Sequence, residues 1–401
     1  MRIGAKHRKH RKLLAQVLNT RVVQRDYVPM QEQLTRQFAK ALLEDPDNFV
    51  GHIRSVIGST IQTITYGESY DGDVDLIKLA ENNMKNVSKV IRGYTVEFLP
   101  WLEYLPDWFP GAEFKREAKS IREVANQVQW WPFDFVKRQA ATGTASLSFI
   151  LSGLDAQKSS EDLTDDIISG AAMTLFGAGV DTMVGTLHTF MLAMLLYPKV
   201  QAKARAEIDR VIGDDRFPTF ANKDSLPYLN AVLLETLRWH PIVPLGVPHR
   251  VTQDDVYEGR LIPAGATVFF NAWGILHDER HFPDPMTFNP DRYLETESAV
   301  NDDVSPINPW DASFGYGRRV CLGIPVARTG LWIAMATILS AFEIRPKVDP
   351  VTKKPIVPKA SWVGKTQSTP EPFECDIRPR SKEWADKIRE AVADGIRPVK
   401  S

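Results

Sequence analysis

The chain has 401 residues, with 49 Lys or Arg against 50 Asp or Glu, a formal net charge of −1. At 43% hydrophobic and 25% charged it has the composition of a folded globular protein, not of a disordered or collagen-like chain. The near-neutral balance excludes the global basicity expected of a nucleic-acid binder. The two cysteines, Cys321 and Cys375, are too few for a disulfide framework or a multi-cysteine zinc site.

The N-terminal MRIGAKHRKHRKLL lacks the apolar stretch of a signal peptide or an anchor. It carries Arg2, Lys6, Arg8, Lys9, Arg11 and Lys12, which read either as a solvated helix face or as a docking patch for an acidic partner. MQEQLTRQFAKALLE and KVQAKARAEIDRVIG have amphipathic helical spacing. Between Ile167 and Tyr197 the only full charge is Asp181, which makes this run a formal membrane-span candidate. A mid-span acid costs roughly 2.5–3.5 kcal/mol in a bilayer, so a long buried helix of a soluble core is the better reading. The spacing predicts a helix from near Ser160, with Glu161, Asp162, Asp165 and Asp166 in its opening turns, to Leu196. In its middle, Phe176-Gly177-Ala178-Gly179-Val180-Asp181-Thr182 places two glycines that each weaken a helix by about 1 kcal/mol. A bend or groove there is one expectation. Close packing at Gly177 and Gly179, with Asp181 on a wet face, is the other.

Nine of the 27 prolines lie in residues 1–240 and eighteen beyond. Residues 1–240 therefore read as helix-rich, and 241–401 as short strands, turns and one late helix. No repeat or linker divides the chain, so the fold class is mainly α, a single domain over 1–401 with a smaller β-containing part.

Several motif matches fail. Gly364-Lys365-Thr366 lacks the earlier glycine of a phosphate loop, where Lys359 stands, and Val320 replaces the third glycine of a dinucleotide fingerprint. His277 and His281 have zinc-protease spacing, but the Glu is one place late and Pro283 and Pro285 follow. One constellation survives: Phe314-Gly315-Tyr316-Gly317-Arg318-Arg319-Val320-Cys321-Leu322-Gly323, followed by the apolar helical run IPVARTGLWIAMATILSAF. Glycines there allow close backbone approach to something flat or bulky. Arg319 suits an anionic group on that partner. Cys321 at a helix N-terminus is placed to be a thiolate able to ligate iron. A buried structural cysteine is the alternative.

Phe314 to Gly323 resembles the haem-binding loop of the cytochrome P-450 superfamily. Ala178-Gly179-Val180-Asp181-Thr182 resembles the oxygen-binding groove of its long helix, Glu235-Thr236-Leu237-Arg238 its E-x-x-R helix, and Phe288-Asn289-Pro290-Asp291-Arg292 its P-x-R loop. LPWLEYLPDWFPGAEFKREA makes fungal microsomal members the most similar. The resemblance runs from about residue 4 to the end. It implies a cytochrome P-450 fold and a haem-thiolate monooxygenase that inserts one oxygen atom from O2 into a lipophilic metabolite of secondary or xenobiotic metabolism. Haem b is the implied cofactor, with electrons from NADPH through a reductase docked near the basic N-terminal helix.

The resemblance also assigns residues. Cys321 would be the axial iron ligand and so the metal site. Phe314, Gly317, Gly323, Ala178 and Gly179 would shape the haem and oxygen site. Arg11, Arg250 and Arg319 would pair with propionates, although His7 stands where relatives have a Trp four residues before the Arg. Asp181 and Thr182 would deliver protons, and Glu235, Arg238 and Arg292 would form a buried structural triad. Phe176, Ala178, Val243 to Val247 and Trp362 to Gly364 are candidate pocket residues. Relatives have an anchor, a first sheet segment and a pocket-roofing loop before the point where this sequence starts. The sequence is thus expected to be truncated there, which opens a rival reading as a haem-binding paralogue that has lost catalysis. The family implies the endoplasmic reticulum membrane; with no anchor in the sequence, a cytoplasmic or peripheral location is expected.

Overall fold

The structure is a computed structural model that describes residues 4–67, 75–91, 93–214, 216–294, 307–364 and 366–393. In chain order the helices are α1 (Ala5–Val17), α2 (Thr20–Val22), α3 (Val28–Glu44), α4 (Phe49–Tyr66), α5 (Leu76–Ile91), α6 (Thr95–Phe98), α7 (Glu113–Thr142) and α8 (Phe149–Gln157). Then come α9 (Asp165–Leu196), α10 (Pro198–Val211), α11 (Pro227–Trp239), α12 (Ala272–Leu276), α13 (Pro309–Phe314), α14 (Ile324–Ala341) and α15 (Lys382–Ala393). The strands, among the described residues, form two-stranded antiparallel pairs. These are β1 (His249–Arg250) with β4 (Thr267–Val268), β2 (Asp255–Tyr257) with β3 (Arg260–Ile262), and β5 (Phe342–Arg345) with β10 (Asp376–Pro379). The remaining pairs are β6 (Lys347–Val348) with β7 (Pro355–Ile356) and β8 (Trp362–Val363) with β9 (Thr369–Pro370).

The described residues form two compact units: the first takes those of 4–30 and 54–181, the second those of 31–53 and 182–393. In the first unit α5 packs on α7, and α7 and α1 pack on α8. Its core includes Phe133, Val136, Phe149, Ile168 and Phe176, the last edge-on to Tyr66 at 5.3 Å between ring centres. Polar contacts close the helix ends: Lys137 pairs with Asp165 at 2.5 Å, and Gln129 Nε2 donates to Ser169 Oγ at 2.9 Å.

In the second unit α14 is buried along nearly its whole length, because its apolar residues are not confined to one stripe. Trp332 is fully buried there, with the Phe220 ring against it at 5.6 Å. Helices α10 and α11 pack against α14, and α11 also carries α13. Both α9 and α14 are long and apolar enough to cross a membrane, but 61% and 83% of their most apolar windows are buried inside the protein, which marks them as core helices.

Helix α9 starts at Asp165, not near Ser160 as the sequence suggested. The Thr164 carbonyl accepts the N–H groups of Ile167 and Ile168, which opens the helix later. Asp162, expected in the first turn, instead accepts from Lys9 Nζ at 3.0 Å. From Asp165 to Leu196 the backbone is α-helical without interruption, glycines included.

Candidate functional site

The cysteine loop lies in the second unit. Asn308 caps α13, its side chain accepting the Trp310 N–H at 3.0 Å. The helix ends at Gly315, whose φ of 77° is the left-handed conformation that a Cβ disfavours; Gly317, at 62°, repeats it two residues on. No atom lies within 4 Å of where a Cβ would stand at either glycine, so conformation rather than crowding requires glycine there. The Cys321 N–H returns to the Phe314 carbonyl at 2.9 Å and closes the loop. The thiol is exposed, and its Sγ accepts the Gly323 N–H at 3.3 Å, just before α14 begins at Ile324. A sulfur that is accessible, fixed by its backbone and given an N–H donor suits an anionic ligand atom.

Arg319 ends the short turn that begins at Gly317 and is half-buried. Arg250 is exposed on β1, its guanidinium lying over Gly265. Leu245, Val247, Val268 and Phe269 beside β1 and β4 are exposed apolar side chains. Arg11 is half-buried on α1 in the first unit.

Glu235 and Arg238 on α11 are fully buried. Arg238 donates through Nε to Glu235 Oε2 at 2.7 Å and through Nη2 to Oε1 at 2.9 Å. Its remaining donors reach the Leu276 carbonyl at 3.0 Å and the Thr287 carbonyl at 3.3 Å. Arg292 Nε and the Asn289 N–H both donate to Glu235 Oε1, at 3.2 and 2.8 Å. One carboxylate thus gathers α11 and the Phe288–Arg292 loop. The Ser313 hydroxyl, one residue before Phe314, donates to the Leu237 carbonyl at 3.4 Å and links α11 to the cysteine loop.

On α9, between Thr174 and Leu195, Thr174, Ala178, Gly179, Asp181 and Thr182 are the residues that are not buried. Thr174, Ala178, Asp181 and Thr182 are spaced at four, three and one, so they form one accessible stripe on an otherwise buried helix. Gly179 is a true close approach: a Cβ there would stand 3.1 Å from Ile61 on α4, whereas at Gly177 the nearest atom is Met84 Sδ at 3.6 Å. Asp181 lies on this stripe with an ionic partner. Its carboxylate is half-buried and accepts from Arg54 Nη1 at 2.6 Å.

Arg54 was missed from sequence. The available signal was a lone cation in the apolar helical run FVGHIRSVIGSTIQTITYG. Among the pocket candidates, Phe176 is buried against Tyr66 and belongs to the first unit's core. Trp362 stacks on His240 at 4.3 Å, so in that hairpin Val363 is the exposed apolar residue. In the basic N-terminal stretch Lys6 pairs with Asp166 at 2.5 Å and Lys9 with Asp162 at 3.0 Å, while Arg8 and Lys12 are exposed four residues apart. Arg2 lies outside the described residues. Burial lowers the pKa of His188 and of His240 to about 4 and raises that of the Cys375 thiol to about 12.

The cytochrome P450 family model matches residues 1–368. Cytochrome P450 monooxygenase claR of Ampulloclitocybe clavipes is 38% identical over 390 residues, covering 96% of this chain and 71% of that protein. Cytochrome P450 monooxygenase CLM2 of Gibberella zeae is 36% identical over 398 residues, covering 96% of this chain and 74% of that protein. A zebra fish cytochrome P450 solved with progesterone has a similar fold, with a TM-score of 0.74 at 23% identity over 94% of this chain and 83% of that one. A match over most of the chain, together with these fungal relatives, places the protein in the cytochrome P450 family, as a haem-thiolate monooxygenase.

Proposed function

We propose that the protein inserts one oxygen atom from O2 into a lipophilic small molecule of fungal secondary or xenobiotic metabolism, using haem b held through Cys321. The observation that carries this reading is the exposed Cys321 sulfur, fixed by the Gly323 N–H at the mouth of a loop that two left-handed glycines turn. The residues fit the cofactor: a soft sulfur donor suits iron. Two cations of the same unit, Arg250 and Arg319, suit propionates, and exposed Leu245, Val247 and Phe269 suit a flat apolar ring. When bound, the haem would supply reductive O2 activation, which a thiolate ligand from Cys321 would favour.

The protein's own residues would then do the rest. Glu235, Arg238 and Arg292 keep α11 and the cysteine loop in register. Ala178 leaves room on the α9 stripe, with Gly179 beside it packed on Ile61, while Asp181 and Thr182 move protons along the stripe. Val243 to Val247 and Val363 provide apolar contacts that orient the substrate.

Electrons are assigned to NADPH through a flavoprotein reductase, docked on the exposed Arg8–Lys12 face of α1 by charges that salt would screen. Association with the endoplasmic reticulum surface is supported by Phe98, Trp101, Tyr104 and Trp108, exposed large aromatics within eleven residues. The reading is tested by Thr182→Ala in the haem-loaded protein with reductase and NADPH. It is expected to keep haem and NADPH consumption while a larger share of the electrons leaves as hydrogen peroxide; a peroxide share equal to wild type overturns the proton-delivery role.

A further inference from the structure

We infer that Arg54 is the positioning residue for Asp181: it holds one carboxylate oxygen so that the other is presented for proton transfer along α9. The inference rests on the proton-delivery reading of Asp181 and Thr182. Arg54 and Ile61 are seven apart on α4, two turns, and so share one face. Both meet α9 within the first unit, Ile61 against Gly179 and Arg54 on Asp181. The tight Ile61–Gly179 contact fixes the separation of the two helices at that level, so the guanidinium reaches Asp181 across a set distance.

Ile53, Val56, Ile57, Ile61 and Ile64 make α4 an apolar core helix. An apolar side chain in place of Arg54 would pack there without the desolvation cost of a half-buried ion pair. The side chains of Arg54 and Asp181 are 28% and 15% exposed, wet enough for a solvent proton to arrive and dry enough for the pair to matter electrostatically. The bond between them engages Oδ1. With Oδ1 held by the cation, Oδ2 accepts a proton from a hydronium ion of bulk solvent, which departs as water, and the carboxyl becomes neutral. Release of the same proton toward the Thr182 hydroxyl oxygen, as that hydroxyl passes its own proton onward, restores the carboxylate. Arg54 remains protonated throughout, and no net charge accumulates.

The test uses the haem-loaded full chain and two readouts. The first is the infrared difference spectrum of the Asp181 carboxylate stretches, identified against Asp181→Asn. Arg54→Met is expected to shift these bands by removing the bond to Oδ1, and Arg54→Lys to restore most of the wild-type positions. Bands in Arg54→Met that superimpose on wild type overturn the inference. The second readout is hydrogen peroxide released per NADPH oxidised with reductase, without added substrate. Arg54→Met is expected to match Asp181→Asn, and the double variant to be no worse than either, as for residues acting as one unit. If Asp181→Asn uncouples while Arg54→Met behaves as wild type, the inference fails and the proton-delivery reading stands. If Asp181→Asn does not uncouple, that reading fails, and the infrared band positions alone decide whether Arg54 positions the carboxylate.

Discussion

Arg238→Met removes a guanidinium that is fully buried and makes four hydrogen bonds. After the change Glu235 Oε1 keeps Asn289 N–H at 2.8 Å and Arg292 Nε at 3.2 Å, but Oε2 loses its Arg238 partner at 2.7 Å. The Leu276 and Thr287 carbonyls also lose that donor. Breaking a buried ion pair from one side costs about 3–5 kcal/mol, a large part of the 5–15 kcal/mol typical of whole domains. Arg292→Met is the graded comparison, because Glu235 then keeps both bonds from Arg238. Its cost is that of a charged hydrogen bond, about 1.5–3 kcal/mol. Glu235→Leu combined with Arg238→Met removes the fully buried carboxylate and leaves Arg292, at the edge of the cluster, with the Pro283 and Thr287 carbonyls as acceptors, so it should recover part of the single-variant loss. The assay is urea unfolding followed by far-ultraviolet circular dichroism on the haem-loaded proteins, with Arg280→Met, an exposed pair with Asp278, as the silent control. The reasoning is refuted if Arg238→Met unfolds at the wild-type midpoint, or if the Glu235→Leu double variant is no more stable than Arg238→Met alone.

His188 is buried between Phe49 and Phe373, stacked on the latter at 5.0 Å, and burial lowers its pKa from 6.5 to about 4. Between these values the unfolded chain binds the extra proton. The stability contributed is therefore fully present above pH 6.5 and is lost as pH falls toward 4, an effect of about 3 kcal/mol. His188→Phe should flatten unfolding stability across that window; an unchanged acid limb removes His188 as its source. The two cysteines should also separate under alkylation by iodoacetamide of the haem-free folded chain. Cys321 is exposed and is modified, while Cys375 is buried with its pKa raised to about 12 and reacts after unfolding. Labelling of Cys375 at the same rate as Cys321 contradicts that assignment.

The cysteine loop and the Glu235–Arg238 pair were legible because local sequence carries them, whereas the burial of that pair and its third member, Arg292, came from the family resemblance. Glycines mark the left-handed turns at 315 and 317, and an Arg three residues from a Glu on one helix already shares its face. The family and the mainly α fold followed from those same residues. What was not legible came from partners distant in sequence. Asp181 reads as wet until Arg54, 127 residues earlier, is placed beside it. Lys6 and Lys9 read as part of a solvated basic face until Asp166 and Asp162 take two of its charges. The start of α9 moved to Asp165 because the Thr164 carbonyl, not the acids before it, opens the helix. Phe176 sits next to the groove in sequence, yet Tyr66 claims its ring for the core.

The account depends most on Cys321 as the iron's axial ligand, and the carbon monoxide difference spectrum of the reduced, haem-loaded protein tests it most directly. Wild type is predicted to give the strongly red-shifted Soret band of a thiolate ligand, and Cys321→Ala to lose that band while Cys375→Ala retains it. A wild-type spectrum with the unshifted band of a neutral axial ligand, or a thiolate band that survives Cys321→Ala, would contradict it.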